Sequence, residues 1–160
     1  MALAYIGLGA NLGDARAALH QALQELAATP GITNLRTSGL YRTAPVDSSG
    51  PDYLNAAAAL HTTLDAMSLL RRLQAIELAH GRERPYRNAP RTLDLDLLWF
   101  DGQSLDLPDL TVPHPRMHER AFVLAPLQEL APTLVLQQGE VSALLSACAD
   151  QAIERIADSI

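Results

Sequence analysis

Apolar positions follow two different spacings along the first hundred residues of the chain. Alternating or continuous apolar runs predict four strands, over residues 2–8, 32–41, 53–62 and 93–100. Apolar residues at the i, i+3, i+4 spacing predict two helices, over residues 15–28 and 65–79. Asp14 is a suitable N-cap for the first helix, and Thr63 or Asp65 for the second.

The order of these elements, β-α-β-β-α-β, predicts the ferredoxin-like arrangement, an α+β sandwich with helices on one face of an antiparallel sheet. The last sixty residues form a C-terminal extension of this unit. Within it, residues 108–120 are expected to form a loop, followed by short helices at 122–130 and 141–149. We expect the whole chain, residues 1–160, to fold as one domain.

The length and composition of the chain narrow the functional classes that suit it. With 160 residues, 48% of them hydrophobic, it can bury the core of a single domain. Its net charge of −6 argues against general nucleic-acid binding, which requires a broad basic surface. Cys148 is the only cysteine, and no apolar run reaches the ~18 residues that cross a bilayer. We therefore expect a cytoplasmic protein that binds neither nucleic acid nor a membrane. We also expect it to be a monomer.

Two aspartates, Asp94 and Asp96, interrupt the apolar pattern of the last predicted strand. Because side chains alternate across a strand, Leu93, Leu95 and Leu97 should face one way and both carboxylates the other. The Cα atoms of the two aspartates should lie roughly 6.6 Å apart. Mg²⁺ is commonly held by one or two carboxylates together with phosphate oxygens. The pair therefore predicts a magnesium and nucleotide site, and the alternative is a solvated strand face.

The segment before this strand, residues 80–91, carries four of the twelve arginines, at positions 82, 84, 87 and 91. The chain contains no lysine, so every fixed side-chain cation is a guanidinium, whose planar fork suits bidentate contacts with phosphate. Such a segment beside an acidic pair indicates polyphosphate chemistry. The alternative is an exposed loop whose surface ion pairs contribute little to stability.

Four segments give the chain a specific resemblance to an enzyme family. They are Gly7-Leu8-Gly9-Ala10-Asn11-Leu12-Gly13, Tyr41-Arg42-Thr43-Ala44-Pro45, Pro51-Asp52-Tyr53-Leu54-Asn55-Ala56 and Pro90-Arg91-Thr92-Leu93-Asp94-Leu95-Asp96. In this order and spacing the chain resembles the 6-hydroxymethyl-7,8-dihydropterin pyrophosphokinases of folate biosynthesis, over most of its length. The resemblance implies transfer of an intact diphosphate from ATP to the hydroxymethyl oxygen of the pterin, leaving AMP. It also implies two Mg²⁺ ions.

The resemblance assigns roles to the charged residues. Asp94 and Asp96 correspond to the ligands of both metal ions. Arg82 and Arg84 correspond to arginines of the family's mobile catalytic loop, and Arg91 to an arginine held against the nucleotide phosphates. Such cations stabilise the charge that spreads over a transferred phosphate group. The implied catalytic residues are Arg82, Arg91, Asp94 and Asp96.

Further residues correspond to the two binding sites of the family. The implied ATP-side residues are Gln74, Glu77, Arg84, Arg91, Thr111, His114 and Arg120. The implied pterin-side residues are Thr43, Val46, Tyr53, Asn55 and Phe122. The pterin set offers rings and in-plane hydrogen-bonding groups to a flat heterocycle. Without the resemblance, a solvated helix face would account for Gln74 and Glu77, and core packing for Tyr53 and Phe122.

Two rival functions and two departures from the family pattern stay open. One rival is another Mg²⁺-dependent nucleotide transferase that uses the same aspartates with a different acceptor. The other is a non-catalytic ferredoxin-like module for RNA or a small effector, although the acidic charge disfavours RNA. Asn88 stands where many family members have tryptophan, in a loop one residue shorter, and Asp109 stands where some have arginine.

Overall fold

The computed structural model describes residues 1–11, 14–44, 52–80 and 93–160. The strands are β1 (Ala2–Ala10), β2 (Ile32–Thr37), β3 (Leu40–Thr43), β4 (Tyr53–Thr62), β5 (Asp94–Phe100), β6 (Leu105–Leu107), β7 (Leu110–Val112), β8 (Val135–Leu136), β9 (Gly139–Glu140) and β10 (Glu154–Ala157). The helices are α1 (Ala15–Ala27), α2 (Ala66–Ala79), α3 (Ala121–Leu130) and α4 (Val141–Ala147), and a short 3-10 helix covers Met117–Glu119.

A six-stranded antiparallel sheet forms the centre of this mixed α/β fold. Its strands follow the order β10-β3-β4-β1-β5, and β2 also pairs with β4. The central strand β1 lies between β4 and β5, antiparallel to both. Two small hairpins, β6–β7 and β8–β9, lie outside the sheet.

The predicted strand over residues 32–41 is in fact two strands, separated at Ser38 and Gly39. The Ser38 amide donates to the Ala57 carbonyl at 2.9 Å, and the Ser38 hydroxyl accepts the Ala57 amide at 2.9 Å. A side chain thus replaces one backbone acceptor in the ladder, and the register against β4 shifts. Gly39 is held close to β10, because an added Cβ would lie 2.7 Å from the Ala157 carbonyl oxygen.

The two predicted helices begin at aspartate caps. The Asp14 carboxylate accepts the Ala17 amide at 3.1 Å, and the Asp65 carboxylate accepts the Ser68 amide at 2.7 Å. Asp65, and not Thr63, is therefore the cap of α2. Accepting the Ser68 amide lowers the pKa of the Asp65 carboxyl below its ordinary value.

The two helices of the predicted unit cover one face of the sheet, as expected, and helices of the C-terminal extension cover the other face. The first core includes Ile6 and Leu60 from the sheet and lies against α1 and α2. The second core joins Tyr5, Ala59 and Leu98 of the opposite sheet face to α3 and α4. The C-terminal extension therefore supplies the second helical layer, because the sheet exposes apolar side chains on both faces.

The extension also contains strands that the apolar pattern did not reveal. Residues 108–120 were expected to be a loop, but they contain β7 and the 3-10 helix. Strand β10 joins the central sheet at the edge of β3. The helices at 121–130 and 141–147 agree closely with the predicted ones. Among the described residues, no helix is long and apolar enough to span a membrane.

Candidate active site

The sheet face beneath α3 changes from apolar to polar along β1. Tyr5 of β1 lies opposite Ala59, and both belong to the second core. Four residues further along, Gly9 lies between Asn55 of β4 and Asp94 of β5. We call this set, Asn55-Gly9-Asp94, the Gly9 row. It brings a carboxamide and a carboxylate of distant sequence segments to the two sides of one glycine.

Gly9 allows these two side chains to approach each other. A Cβ added to Gly9 would lie 3.1 Å from Asn55 Nδ2 and 4.0 Å from the Asp94 Cβ. At Gly7, two residues earlier on the same face, the nearest neighbour of an added Cβ would be the Leu98 side chain, at 3.4 Å. Glycine inside a strand commonly marks a close approach of this kind. The Gly9 position is therefore the tighter of the two.

Asp94 and Asp96 lie on the sheet face that the sequence pattern predicts. Leu93, Leu95 and Leu97 are buried in the first core, whereas Asp94 is half-buried and Asp96 is exposed. Among the described residues, no group of three or more His, Cys, Asp or Glu side chains is arranged to hold a metal. Two carboxylates suit Mg²⁺, which keeps waters and takes further oxygens from phosphate, and do not form a closed protein cage. Their role as metal ligands stays a prediction.

The Asn55 carboxamide is oriented by Thr43 on the neighbouring strand. The Thr43 hydroxyl donates to Asn55 Oδ1 at 2.8 Å, and Asn55 is 6% exposed. With Oδ1 engaged, the amide group of Asn55 presents its N–H donors to the other side. Tyr53 precedes Asn55 by two residues, so it lies on the same face of β4 and is half-buried. Three of the predicted pterin-side residues thus come together.

Phe122 and Arg120 lie at the start of α3, on the same side of the sheet. Phe122 packs against the second core and is half-buried. The Arg120 guanidinium carbon lies 5.5 Å from the centroid of the Phe122 ring, a cation–π distance. The pair links a predicted ATP-side residue to a predicted pterin-side residue.

A small cleft adjoins the edge strand β5 beside Asp96. Its volume is about 220 Å³. The polar residues that line it include Asp96, Thr111 and His114, with Asp109 beside them and Leu70 of α2 opposite. Two of the predicted ATP-side residues therefore share one cleft with a predicted metal ligand. Leu70 and Asp109 were not among the predicted site residues.

The surroundings of His114 favour the neutral form of its imidazole ring. Its Nδ1 accepts the Arg116 amide at 3.2 Å, so the ring proton of the neutral form is assigned to Nε2. Burial lowers the pKa of His114 below its ordinary value, and the charges of Arg120 and Arg116 lower it further. An uncharged imidazole at neutral pH can donate its Nε2 proton to a phosphate oxygen.

Glu77 is buried, which excludes the alternative that it lies on a solvated face of α2. It is 3% exposed, and its Oε2 accepts the Leu95 amide at 2.9 Å. Leu95 stands between the two aspartates on an edge strand, so Glu77 fixes the backbone from which both carboxylates project. Gln74 is half-buried one turn earlier. Leu70, Gln74 and Glu77 recur at helical spacing, the signal by which Leu70 could have been found.

Several predicted site residues lie outside the described residues. They are Val46, Arg82, Arg84 and Arg91, together with the loop positions Arg87 and Asn88. Their roles are therefore carried by the sequence resemblance alone.

A larger groove, of about 670 Å³, lies at the other end of the sheet. It runs past Met1, Leu64, Phe100 and Leu107 and contains none of the predicted site residues. By volume alone, this groove would be the better candidate for a ligand-binding site. The chemistry favours the smaller cleft beside Asp96, because polar groups converge there.

An acidic pair beside a polar cleft suits the class of enzymes that move phosphate-containing groups between small molecules, because Mg²⁺ is held by carboxylates together with phosphate oxygens. Residues 5–132 match the family model of 7,8-dihydro-6-hydroxymethylpterin-pyrophosphokinase (HPPK). The chain belongs to this family. The resemblance drawn from the four sequence segments is thereby confirmed.

Similar proteins of several bacteria carry the name 2-amino-4-hydroxy-6-hydroxymethyldihydropteridine pyrophosphokinase. The one of Pseudomonas aeruginosa is 46% identical over 154 residues, which cover 95% of each chain. The one of Methylorubrum extorquens is 43% identical over 157 residues, covering 98% of this chain and 99% of its own. The one of Bacillus subtilis is 43% identical and covers 80% of this chain.

Solved structures of longer proteins share the fold. A structure described as HPPK-DHPS in complex with substrates has a TM-score of 0.74 at 11% identity, covering 93% of this chain and 43% of its own. Wild-type Plasmodium falciparum HPPK-DHPS with pteroate has a TM-score of 0.74 at 13% identity, covering 93% of this chain and 42% of its own. The chain therefore spans less than half the length of these proteins, and the likeness concerns the fold alone.

Proposed function

We propose that the chain transfers an intact diphosphate group from ATP to the hydroxymethyl oxygen of 6-hydroxymethyl-7,8-dihydropterin, a step of folate biosynthesis. The products are AMP and the pterin diphosphate. Family membership supports this reaction. The structural observation that carries it is the Gly9 row, in which one glycine separates a carboxamide from a carboxylate. The Asn55 side suits a heterocycle, and the Asp94 side suits a metal-bound polyphosphate.

The pterin half of the proposed site contains Thr43, Val46, Tyr53, Asn55 and Phe122. Asn55 offers N–H donors from a fixed position, because Thr43 engages its oxygen. Gly9 lets the Asn55 carboxamide lie close to the β1 backbone, because a Cβ at this position would lie only 3.1 Å from Asn55 Nδ2. Tyr53 and Phe122 supply the aromatic faces on which such a ring would stack.

The nucleotide half contains Asp94 and Asp96, which would hold two Mg²⁺ ions. When bound, these ions neutralise the charge of the phosphates and align the transferred group. Glu77 keeps the β5 backbone in place between the two aspartates. Thr111 and His114 line the cleft beside Asp96, where they would border the nucleotide together with Gln74. The Nε2–H group of His114 would donate a hydrogen bond to a phosphate oxygen. The guanidinium groups of Arg84 and Arg120 supply positive charge on the ATP side.

The transfer joins the hydroxymethyl oxygen to the β-phosphorus of ATP. The bond between that phosphorus and the oxygen bridging to the α-phosphate breaks, AMP leaves, and the hydroxyl proton is released. Such reactions depend chiefly on positioning and on electrostatic stabilisation of the spreading charge. Arg82 and Arg91 supply that stabilisation by donating to the transferred oxygens.

We further propose the setting in which this reaction runs. The strand order of the central sheet supports a ferredoxin-like βαββαβ unit, with residues 1–160 forming one domain. Both helical layers share that sheet, which supports a single folding unit. The protein acts as a monomer in the cytoplasm, where ATP is abundant and a lone buried Cys148 stays reduced.

The proposal is tested by incubating the protein with ATP, Mg²⁺ and 6-hydroxymethyl-7,8-dihydropterin and separating the nucleotides. AMP should form only when the pterin is present, in equal amount to the pterin diphosphate. Asp96→Asn should reduce this turnover by about a hundredfold, as expected when electrostatic stabilisation is lost. Asp150→Asn, an exposed aspartate outside the site, is the matched control and should retain turnover. Release of ADP, or AMP that forms without the pterin, would overturn the proposal.

A further inference from the structure

Helix α3 begins without a cap of its own. Its N-cap residue is Arg120, whose side chain makes no capping hydrogen bond. The amide of Ala121, the first residue of the helix, is instead accepted by the Gln151 side-chain oxygen at 2.9 Å. A residue thirty positions later in the chain therefore performs the task that the N-cap side chain usually performs.

The same Gln151 side chain makes a second bond on the other side of Arg120. Its Nε2 donates to the Glu119 carbonyl at 2.7 Å. The carboxamide oxygen must face the Ala121 amide and its nitrogen must face the Glu119 carbonyl. Only one orientation of the Gln151 side chain therefore makes both hydrogen bonds. The Gln151 backbone is itself anchored, because its amide donates at 2.9 Å to the carbonyl of the buried Cys148.

The two bonds enclose a single residue, Arg120, between the 3-10 helix and α3. Arg120 has the extended backbone angles φ −120° and ψ 111°, a conformation that neither flanking helix imposes. Its guanidinium faces the Phe122 ring two residues later. The two hydrogen bonds hold the carbonyl before Arg120 and the amide after it. They therefore hold the backbone from which the side chains of Arg120 and Phe122 project.

We propose that Gln151 is a positioning residue for Arg120 and Phe122. The inference rests on the proposed function, in which Phe122 stacks on the pterin and Arg120 lies on the ATP side. Gln151 lies beyond residues 5–132, the part that matches the family model, and no motif of the sequence pointed to it. Without the Gln151 side chain, the start of α3 would sample several backbone conformations, and the pterin would bind to a less ordered site.

The test compares Gln151→Met, which keeps the size of the side chain and removes both hydrogen bonds, with Gln128→Met. Gln128 lies in α3, near its C-terminal end, and donates to the Ser142 hydroxyl at 2.9 Å, away from the proposed site. Gln151→Ala is a second variant that removes the bonds together with the bulk. Two readouts are needed: hydrogen exchange of the Ala121 amide without ligands, and KM and kcat with each substrate.

For both Gln151 variants we expect the Ala121 amide to exchange about tenfold faster, which corresponds to about 1.4 kcal/mol. We expect KM for the pterin to rise five- to tenfold, with kcat changed less than twofold. Gln128→Met should leave exchange at Ala121 and KM for the pterin unchanged. If the wild type is active but Gln151→Met gives the same pterin KM as Gln128→Met, the positioning role is wrong. If the wild type shows no pterin-dependent AMP, the proposed function is wrong, and this inference is withdrawn with it.

Discussion

The substitution Gly9→Ala tests whether the Gly9 row is a binding surface. The added Cβ would lie 3.1 Å from Asn55 Nδ2, closer than ordinary van der Waals contact. The carboxamide must then shift by a few tenths of an ångström, and the shift acts on its 2.8 Å hydrogen bond from Thr43. The fold should persist, because alanine is readily accommodated in a strand and the neighbouring Ala10 lies on the other face.

The expected effect of Gly9→Ala follows from the hydrogen bonds that Asn55 makes. One neutral hydrogen bond contributes about 1 kcal/mol, and the displaced carboxamide weakens its bonds to Thr43 and to the pterin. A loss of about 1.5 to 2 kcal/mol corresponds to a ten- to thirtyfold rise in KM for the pterin. KM for ATP should change little, because the nucleotide half lies on the other side of Gly9.

The assay measures KM for the pterin at saturating ATP and Mg²⁺, with urea unfolding as a check of the fold. Gly7→Ala is the matched control, since the nearest neighbour of its Cβ would be the Leu98 side chain, at an ordinary contact distance of 3.4 Å. Its effect on KM should stay below threefold. If a folded Gly9→Ala variant has the wild-type KM, or if the two substitutions have equal effects, the Gly9 row is not the pterin-binding surface.

Three further predictions concern the acidic pair and the contacts that support the site. Asp94→Asn should lower turnover by about a hundredfold and weaken the binding of Mn²⁺, followed by electron paramagnetic resonance; unchanged Mn²⁺ binding would exclude Asp94 as a ligand. Glu77→Ala should lower the free energy of unfolding by about 2 to 3 kcal/mol, because the buried Leu95 amide loses its acceptor. Glu77→Gln keeps a hydrogen-bond acceptor for the Leu95 amide, so its loss of unfolding free energy in urea should be less than half as large. Equal losses for the two variants would show that this hydrogen bond does not cause the effect. Burial and the hydrogen bond to Glu129 raise the pKa of Tyr41 to about 12, so wild-type stability should be fully present below pH 10 and fall as the pH rises towards 12. Tyr41→Phe should lack this part of the alkaline loss when unfolding is compared at pH 9 and pH 11; an identical loss would show that Tyr41 does not cause it.

Local sequence patterns predicted the features that depend on residues close together in the chain, such as strand faces and helix caps. The alternation of Leu93, Leu95 and Leu97 with the aspartates gave the correct faces of β5, because a strand has a fixed period of two. The N-cap at Asp14 followed in the same way from its position before the apolar stripe of α1, whereas the sequence left Thr63 and Asp65 as alternatives for α2. The resemblance to the pyrophosphokinases added the grouping of distant segments, which no local pattern contains.

Contacts between distant segments were harder to predict. The break between β2 and β3 depends on the Ser38 hydroxyl, which accepts the Ala57 amide of the neighbouring strand. A run of strand-forming residues does not reveal such a contact. Glu77 reads as a surface residue on a helical wheel, and its burial appears only when β5 is packed beside α2. The capping of α3 by Gln151 likewise joins positions thirty residues apart. These are tertiary effects that override local propensity.

The most direct test of the account is a crystal structure of the protein with Mn²⁺, the pterin and an ATP analogue that carries a methylene group between its α- and β-phosphates. We expect the pterin beside Asn55, in contact with Tyr53 and Phe122. We also expect anomalous Mn²⁺ signal on Asp94 and Asp96. A pterin bound elsewhere, such as in the groove beside Met1, or metal remote from both aspartates, would contradict this expectation.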